Sequence, residues 1–150
     1  MSWMIIRVRG TIHAKEDIRT TLAELHLTRP NHATVVPESP DYRGMLTKVQ
    51  GYVTWGEAEA ATVKLLLEQR GRPREAPSPA ATPAAPQAPD YAELAQQVVA
   101  EGLPRQRVVQ PLFRLRAPKG GWRSTKKPFA LGGALGYRGV HINTLAQRML

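Results

Sequence analysis

Between Gly71 and Asp90 the chain carries prolines at 73, 77, 79, 83, 86 and 89, with alanines at 76, 80, 81, 84, 85 and 88 among them. Proline fixes φ and has no amide hydrogen, so neither a helix nor a paired strand is expected to run through such a tract. It reads as an extended, semi-rigid linker over residues 71–90. Regular structure is therefore expected on either side, as a core at 1–70 and an extension at 91–150. The 150 residues amount to about one domain, and a hydrophobic content of 42% is enough for a packed core.

Residues 1–70 alternate strand and helix periodicity. Met4, Ile6 and Val8 alternate with Ile5, Arg7 and Arg9, which predicts a strand with one apolar and one partly cationic face. Ile18, Leu22 and Leu25 then recur at helical spacing within a helix from about Lys15 to His26, and Glu16 and Asp17 suit its positive end. Ala33 to Val36 reads as a short strand ended by Pro37. Ser39-Pro40-Asp41 starts the next helix, with Ser39 as cap and Tyr42, Met45, Leu46 and Val49 as its buried face. Gly44 inside that helix costs about 1 kcal/mol relative to alanine, so something is expected to approach the backbone there. A strand at Tyr52 to Trp55 and a helix at Glu57 to Arg70 complete a β-α-β-α-β-α order. That order predicts a small α+β sandwich, a three-stranded antiparallel sheet with helices on one face.

Beyond the tract, Asp90 and Glu93 have capping-box spacing, and Tyr91, Leu94, Ala95 and Val98 form an apolar stripe. Leu112 to Arg116 alternates as a strand would, residues 117–139 are glycine-rich with little periodicity, and Ile142, Leu145, Ala146 and Met149 predict a short terminal helix. Charge divides the chain sharply. Through residue 104 there are eleven basic and twelve acidic residues, whereas from Arg105 to Leu150 there are ten basic residues and no carboxylate side chain. Such a segment, interleaved with Phe113, Trp122, Phe129 and Tyr137, repels itself until a polyanion neutralises it, and nucleic acid is the commonest one. Trp122 and Tyr137 either stack on bases or pack in the protein.

Catalytic and metal chemistry find no support. With no cysteine there is neither a disulfide framework nor a thiolate site. The histidines at 13, 26, 32 and 141 never fall at ligand spacing with a carboxylate, and no serine lies in a nucleophile elbow. No cofactor, metal or enzymatic activity is expected. The run Gly132-Gly133-Ala134-Leu135-Gly136-Tyr137-Arg138-Gly139 lacks the strand and the Lys-Ser/Thr pair of a phosphate loop. It reads as a turn before the last helix, or, with Lys126, Lys127 and Arg138, as a place where backbone and cations crowd against RNA. No segment reaches the roughly 18 apolar residues of a membrane span, and no signal peptide is expected.

Two blocks carry a resemblance. Arg43-Gly44-Met45-Leu46-Thr47-Lys48-Val49, with Leu27-Thr28-Arg29 and Pro37-Glu38-Ser39-Pro40, resembles the universal large-subunit ribosomal protein family L-thirty. Phe113 through Gly121, Lys126-Lys127-Pro128-Phe129, Gly132-Gly133, Leu135 through Gly139 and Ile142-Asn143 resemble the extension of its archaeal branch. Where bacterial members place adjacent arginines, this chain has Arg29-Pro30 followed by His32. The resemblance implies a ferredoxin-like split β-α-β sandwich and a structural constituent of the large ribosomal subunit, cytoplasmic and ribosome-bound. It further implies contact with large-subunit rRNA near the 5S RNA and with neighbouring ribosomal proteins. The rival reading is a free-standing nucleic-acid-binding regulator or RNA chaperone that uses the same basic arm. The expected RNA-binding residues are Arg29, His32, Arg43 and Lys48 on the sandwich, and Arg114, Arg116, Lys119, Arg123, Lys126, Lys127, Tyr137 and Arg138 on the arm.

Overall fold

Ser2–Arg7 forms the central strand β1, and every one of its residues is buried. It pairs antiparallel with β2 (His32–Pro37) on one side and β3 (Val53–Glu57) on the other. β2 and β3 thus run parallel to each other with β1 inserted between them, the split arrangement in which helix α2 (Pro40–Val49) makes the crossover. Helix α1 (Glu16–Glu24) joins β1 to β2, and helix α3 (Ala60–Arg70) follows β3. The computed structural model describes residues 1–72, 90–105 and 109–150, so the linker expected at 71–90 lies largely outside the described residues. Beyond it come helix α4 (Tyr91–Glu101), strand β4 (Phe113–Arg114), strand β5 (Gly136–Tyr137) and helix α5 (His141–Met149).

The chain is α+β, as the sequence predicts, with two differences. The sheet has five strands rather than three, in the order β4-β2-β1-β3-β5. The two extra strands come from the extension: β4 pairs antiparallel with β2, and β5 pairs parallel with β3. The buried Thr34 and Thr54 help to fix these edges, donating from Oγ1 to the carbonyls of Pro111 and Gly136, both at 2.8 Å.

Helices also cover both faces of the sheet rather than one. Trp3, Ile5, Val36 and Val53 pack against Leu22 and Leu25 of the α1 region and Leu46 and Val49 of α2. On the opposite face, Met4, Ile6, Ala33 and Val35 pack against residues of α3, α4 and α5, including Leu66, Val98 and Ile142. A strand sandwiched in this way reads as a continuous apolar run rather than an alternation. Arg7, which made one face of β1 look cationic, is itself only 3% exposed. Its guanidinium donates to the carbonyls of Leu27 at 2.8 Å and Arg9 at 2.9 Å, and burial lowers its pKa.

Local signals set the helix ends. Ser39 Oγ accepts from the amide of Tyr42, with Pro40 at the first helical position of α2. Asp90 Oδ1 accepts from the amide of Ala92 at the start of α4. No helix among the described residues is long and apolar enough to cross a membrane.

Candidate nucleic-acid interface

The expected contact residues fall into three groups, held by different parts of the sheet. The first lies at the β2–β4 edge, where His32 and Arg114 are register partners. His32 is buried, with Nδ1 at 3.4 Å from Thr28 Oγ1. Burial lowers its pKa, and the positive charges of Arg114, Arg29 and Arg7 lower it further, so the imidazole is neutral at physiological pH. Arg29, Arg114 and Arg116 are exposed around it. The chain is tied down just past the C-terminal end of β4, where the Leu115 amide donates to Asn31 O and the Arg116 amide to Met149 O, each at 3.1 Å.

Arg43 and Lys48, both exposed on α2, are the cations of the second group, set on different sides of the helix by their i,i+5 spacing. Arg43 lines a cleft of about 450 Å³ together with Trp3, Trp55, Glu57 and Tyr137. Tyr137 is 54% exposed, and its hydroxyl donates to the Glu57 carboxylate, which raises the phenol pKa. Its ring lies 6.4 Å from that of Trp55, tilted by 54°. Because β4 and β5 are opposite edges of the sheet, this group does not merge with the first.

The third group surrounds a cleft of about 570 Å³ between the glycine-rich loops and α5, lined in part by Arg123, Arg138 and Arg148. Arg138 is committed to the fold: Nε donates to Thr54 Oγ1 at 2.8 Å and Nη2 to Ala134 O at 2.9 Å, with the guanidinium 4.7 Å from the Phe129 ring centroid. Burial, with a smaller contribution from Arg148, lowers its pKa to about 10, so it stays charged at neutral pH. Lys119, Arg123, Lys126 and Lys127 are exposed. The Lys119 carbonyl accepts from Arg148 Nε at 3.2 Å, and the Lys127 carbonyl accepts from the amide of Ala134 at 3.1 Å. A Cβ on Gly133 would stand 1.9 Å from that Lys127 oxygen, so only glycine fits. Sequence reading left Arg148, Phe129 and His141 out of the site. Arg148 already stood in the acid-free segment as a signal, but only the fold carries α5 to the loop.

Among the described residues the only ion pair is Lys64–Glu68 on α3, at 3.9 Å, so no described cation of the extension is paired with a carboxylate side chain, while the Arg43 cleft has Glu38 and Glu57 in its wall. Nor do the described residues bring together three groups of metal-ligating type. Concentrated positive charge on a rigid frame attracts a polyanion, and three guanidiniums beside aromatic rings favour nucleotides.

The chain is similar to known proteins over nearly its whole length. The family description "Ribosomal protein L30p/L7e" matches residues 3–53. Large ribosomal subunit protein uL30 of Methanosphaera stadtmanae is 41% identical over 152 residues, covering 99% of this chain and 99% of the relative. The protein of the same name from Korarchaeum cryptofilum is 40% identical over 154 residues, with 97% of this chain and 93% of the relative covered. That of Methanopyrus kandleri is 37% identical over 153 residues, covering 95% of this chain and all of the relative.

Proposed function

The chain belongs to the ribosomal protein L30p/L7e family, and from that membership we propose that it grips large-subunit rRNA near the 5S RNA through the three groups described above. It is a structural, non-enzymatic protein of the large ribosomal subunit. In this reading Arg29, Arg114 and Arg116 meet phosphates at one sheet edge, with neutral His32 hydrogen-bonding beside them. Arg43, Lys48 and Tyr137 form a second contact, and Lys119, Arg123, Lys126 and Lys127 a third, with Arg138 positioning the loop. Most of these contacts are to phosphate and sugar, because A-form RNA is read by shape and 2′-hydroxyls. Neighbouring ribosomal proteins complete the environment, and the protein works in the cytoplasm bound to the ribosome.

The observation that carries the reading is the segment from Arg105 to Leu150, with ten cations and no carboxylate side chain. Among the described residues seven of those cations, Arg114, Arg116, Lys119, Arg123, Lys126, Lys127 and Arg148, are exposed. Sedimentation of ribosomal subunits washed in high salt tests it. The chain is expected to stay with the large-subunit peak, whereas a free-standing regulator or chaperone would wash off and overturn the assignment.

A further inference from the structure

The 570 Å³ cleft combines aromatic walls with arginines and no carboxylate, whereas the aromatic residues of the 450 Å³ cleft stand beside Glu38 and Glu57. Trp122 and Phe129, both half-buried, line it with Arg123, Arg138 and Arg148, and no carboxylate reaches it. Trp122 is anchored from behind, since its ring packs against Ala134, Leu135 and Val8 as well as the larger core. Phe129 is held from one side by the Arg138 guanidinium and lies 5.7 Å from the His141 ring. The remaining wall is backbone: Gly120, Gly121 and Gly132 all have left-handed φ, of +83°, +73° and +79°, and keep side chains out of the opening. The volume lies in the range of small-ligand sites, about 300–1,000 Å³. It admits a nucleotide and excludes a double helix.

We propose that this cleft receives one unpaired nucleotide of the bound RNA. The base lies against the Trp122 and Phe129 rings, and its phosphate meets Arg123 and Arg148 at the exposed rim. Every base has a π-face, so aromatic walls accept it, while three arginines with no carboxylate beside them select for the attached phosphate. The inference rests on the rRNA-binding reading and adds the kind of RNA element that is gripped: a splayed-out base rather than a paired stretch.

The test uses the full chain labelled with ¹⁵N, titrated separately with a single-stranded adenylate oligonucleotide, a short blunt-ended RNA duplex and AMP. The single strand is expected to shift the Trp122 indole N–H resonance. The duplex should leave that resonance in place, and AMP should bind more weakly than the oligonucleotide. Phe129→Leu, and independently the exposed Arg123→Ala, should each weaken single-strand binding by about tenfold. Equal Trp122 shifts with the duplex would overturn the proposal, as would AMP binding as tightly as the oligonucleotide, which would mark a site for free nucleotides. Absence of any Trp122 shift, in a chain that still binds an rRNA fragment with steep salt dependence, would sink the nucleotide cleft alone. Failure to bind the rRNA fragment at all would remove the parent reading with it.

Discussion

Gly44 sits in the middle of α2, between Met45 and the exposed Arg43, and no protein atom among the described residues lies within 4 Å of a Cβ built there. The fold has no use for a glycine at this point, unlike Gly133, whose missing Cβ makes room for the Lys127 carbonyl. The approach expected from the sequence is therefore not made by this chain. In the rRNA-binding reading it is the RNA backbone that comes close, guided by Arg43 and Lys48. Gly44→Ala is then expected to stabilise the free protein by about 0.5–1 kcal/mol, because alanine is the better helix former, and to weaken binding to the rRNA fragment. Urea denaturation and a binding isotherm on the same variant separate the two effects. Higher stability with undiminished affinity would show that the RNA passes elsewhere on α2.

Between elements, Asn143 near the start of α5 does what no nearby residue can. It is 6% exposed, its Oδ1 accepts from the Glu59 amide at 3.0 Å, and its Nδ2 donates to the carbonyls of Glu57 and Val140, both at 3.0 Å. Glu59 is the N-cap residue of α3 and provides no side-chain cap of its own, so α5 satisfies the end of β3 and the start of α3 together. Asn143→Ala removes the side-chain partner of the part-buried Glu59 amide and Glu57 carbonyl and is expected to cost about 2–4 kcal/mol in chemical denaturation. A loss within about 0.5 kcal/mol would mean that water replaces the side chain. The contrast with α2 explains what could be read in advance. Ser39 and its amide partner Tyr42 are three residues apart, so that helix start is legible in the sequence, whereas Asn143 and its partners Glu59 and Glu57 are 84 and 86 residues apart. β5 was hidden for the same reason: two residues, one a glycine, are paired with a distant strand and leave no periodicity. The cationic residues were legible as a composition, but their division into three groups depends on which sheet edge each joins.

At the scale of the whole molecule, the extension is part of the scaffold as well as its charge. Residues 1–70, expected from the sequence to stand alone, provide α3 over the Met4, Ile6, Ala33 and Val35 face, but α4, α5 and Phe113 cover it too. A fragment ending at Arg72 is expected to expose this apolar face, bind a hydrophobic dye and melt at lower temperature than the full chain. Dye-free, cooperative melting at the full-chain temperature would establish 1–70 as an autonomous unit. The binding surface is tested by charge. Each phosphate neutralised releases condensed counterions and adds roughly 0.7–0.9 to the slope of log affinity against log salt. Arg114, Arg116, Lys126 and Lys127 are exposed and lie outside the apolar clusters, so replacing all four by alanine leaves the packing intact. If each meets a phosphate, the slope for an rRNA fragment should flatten by about three units. Discrimination between cognate and unrelated RNA should fall less than affinity, because phosphate contacts position the protein while shape and unpaired bases specify the site. An unchanged slope in a variant that melts like the parent would place these four side chains in solvent. The RNA would then have to approach through Arg29, Arg43 and Lys48, on the sandwich.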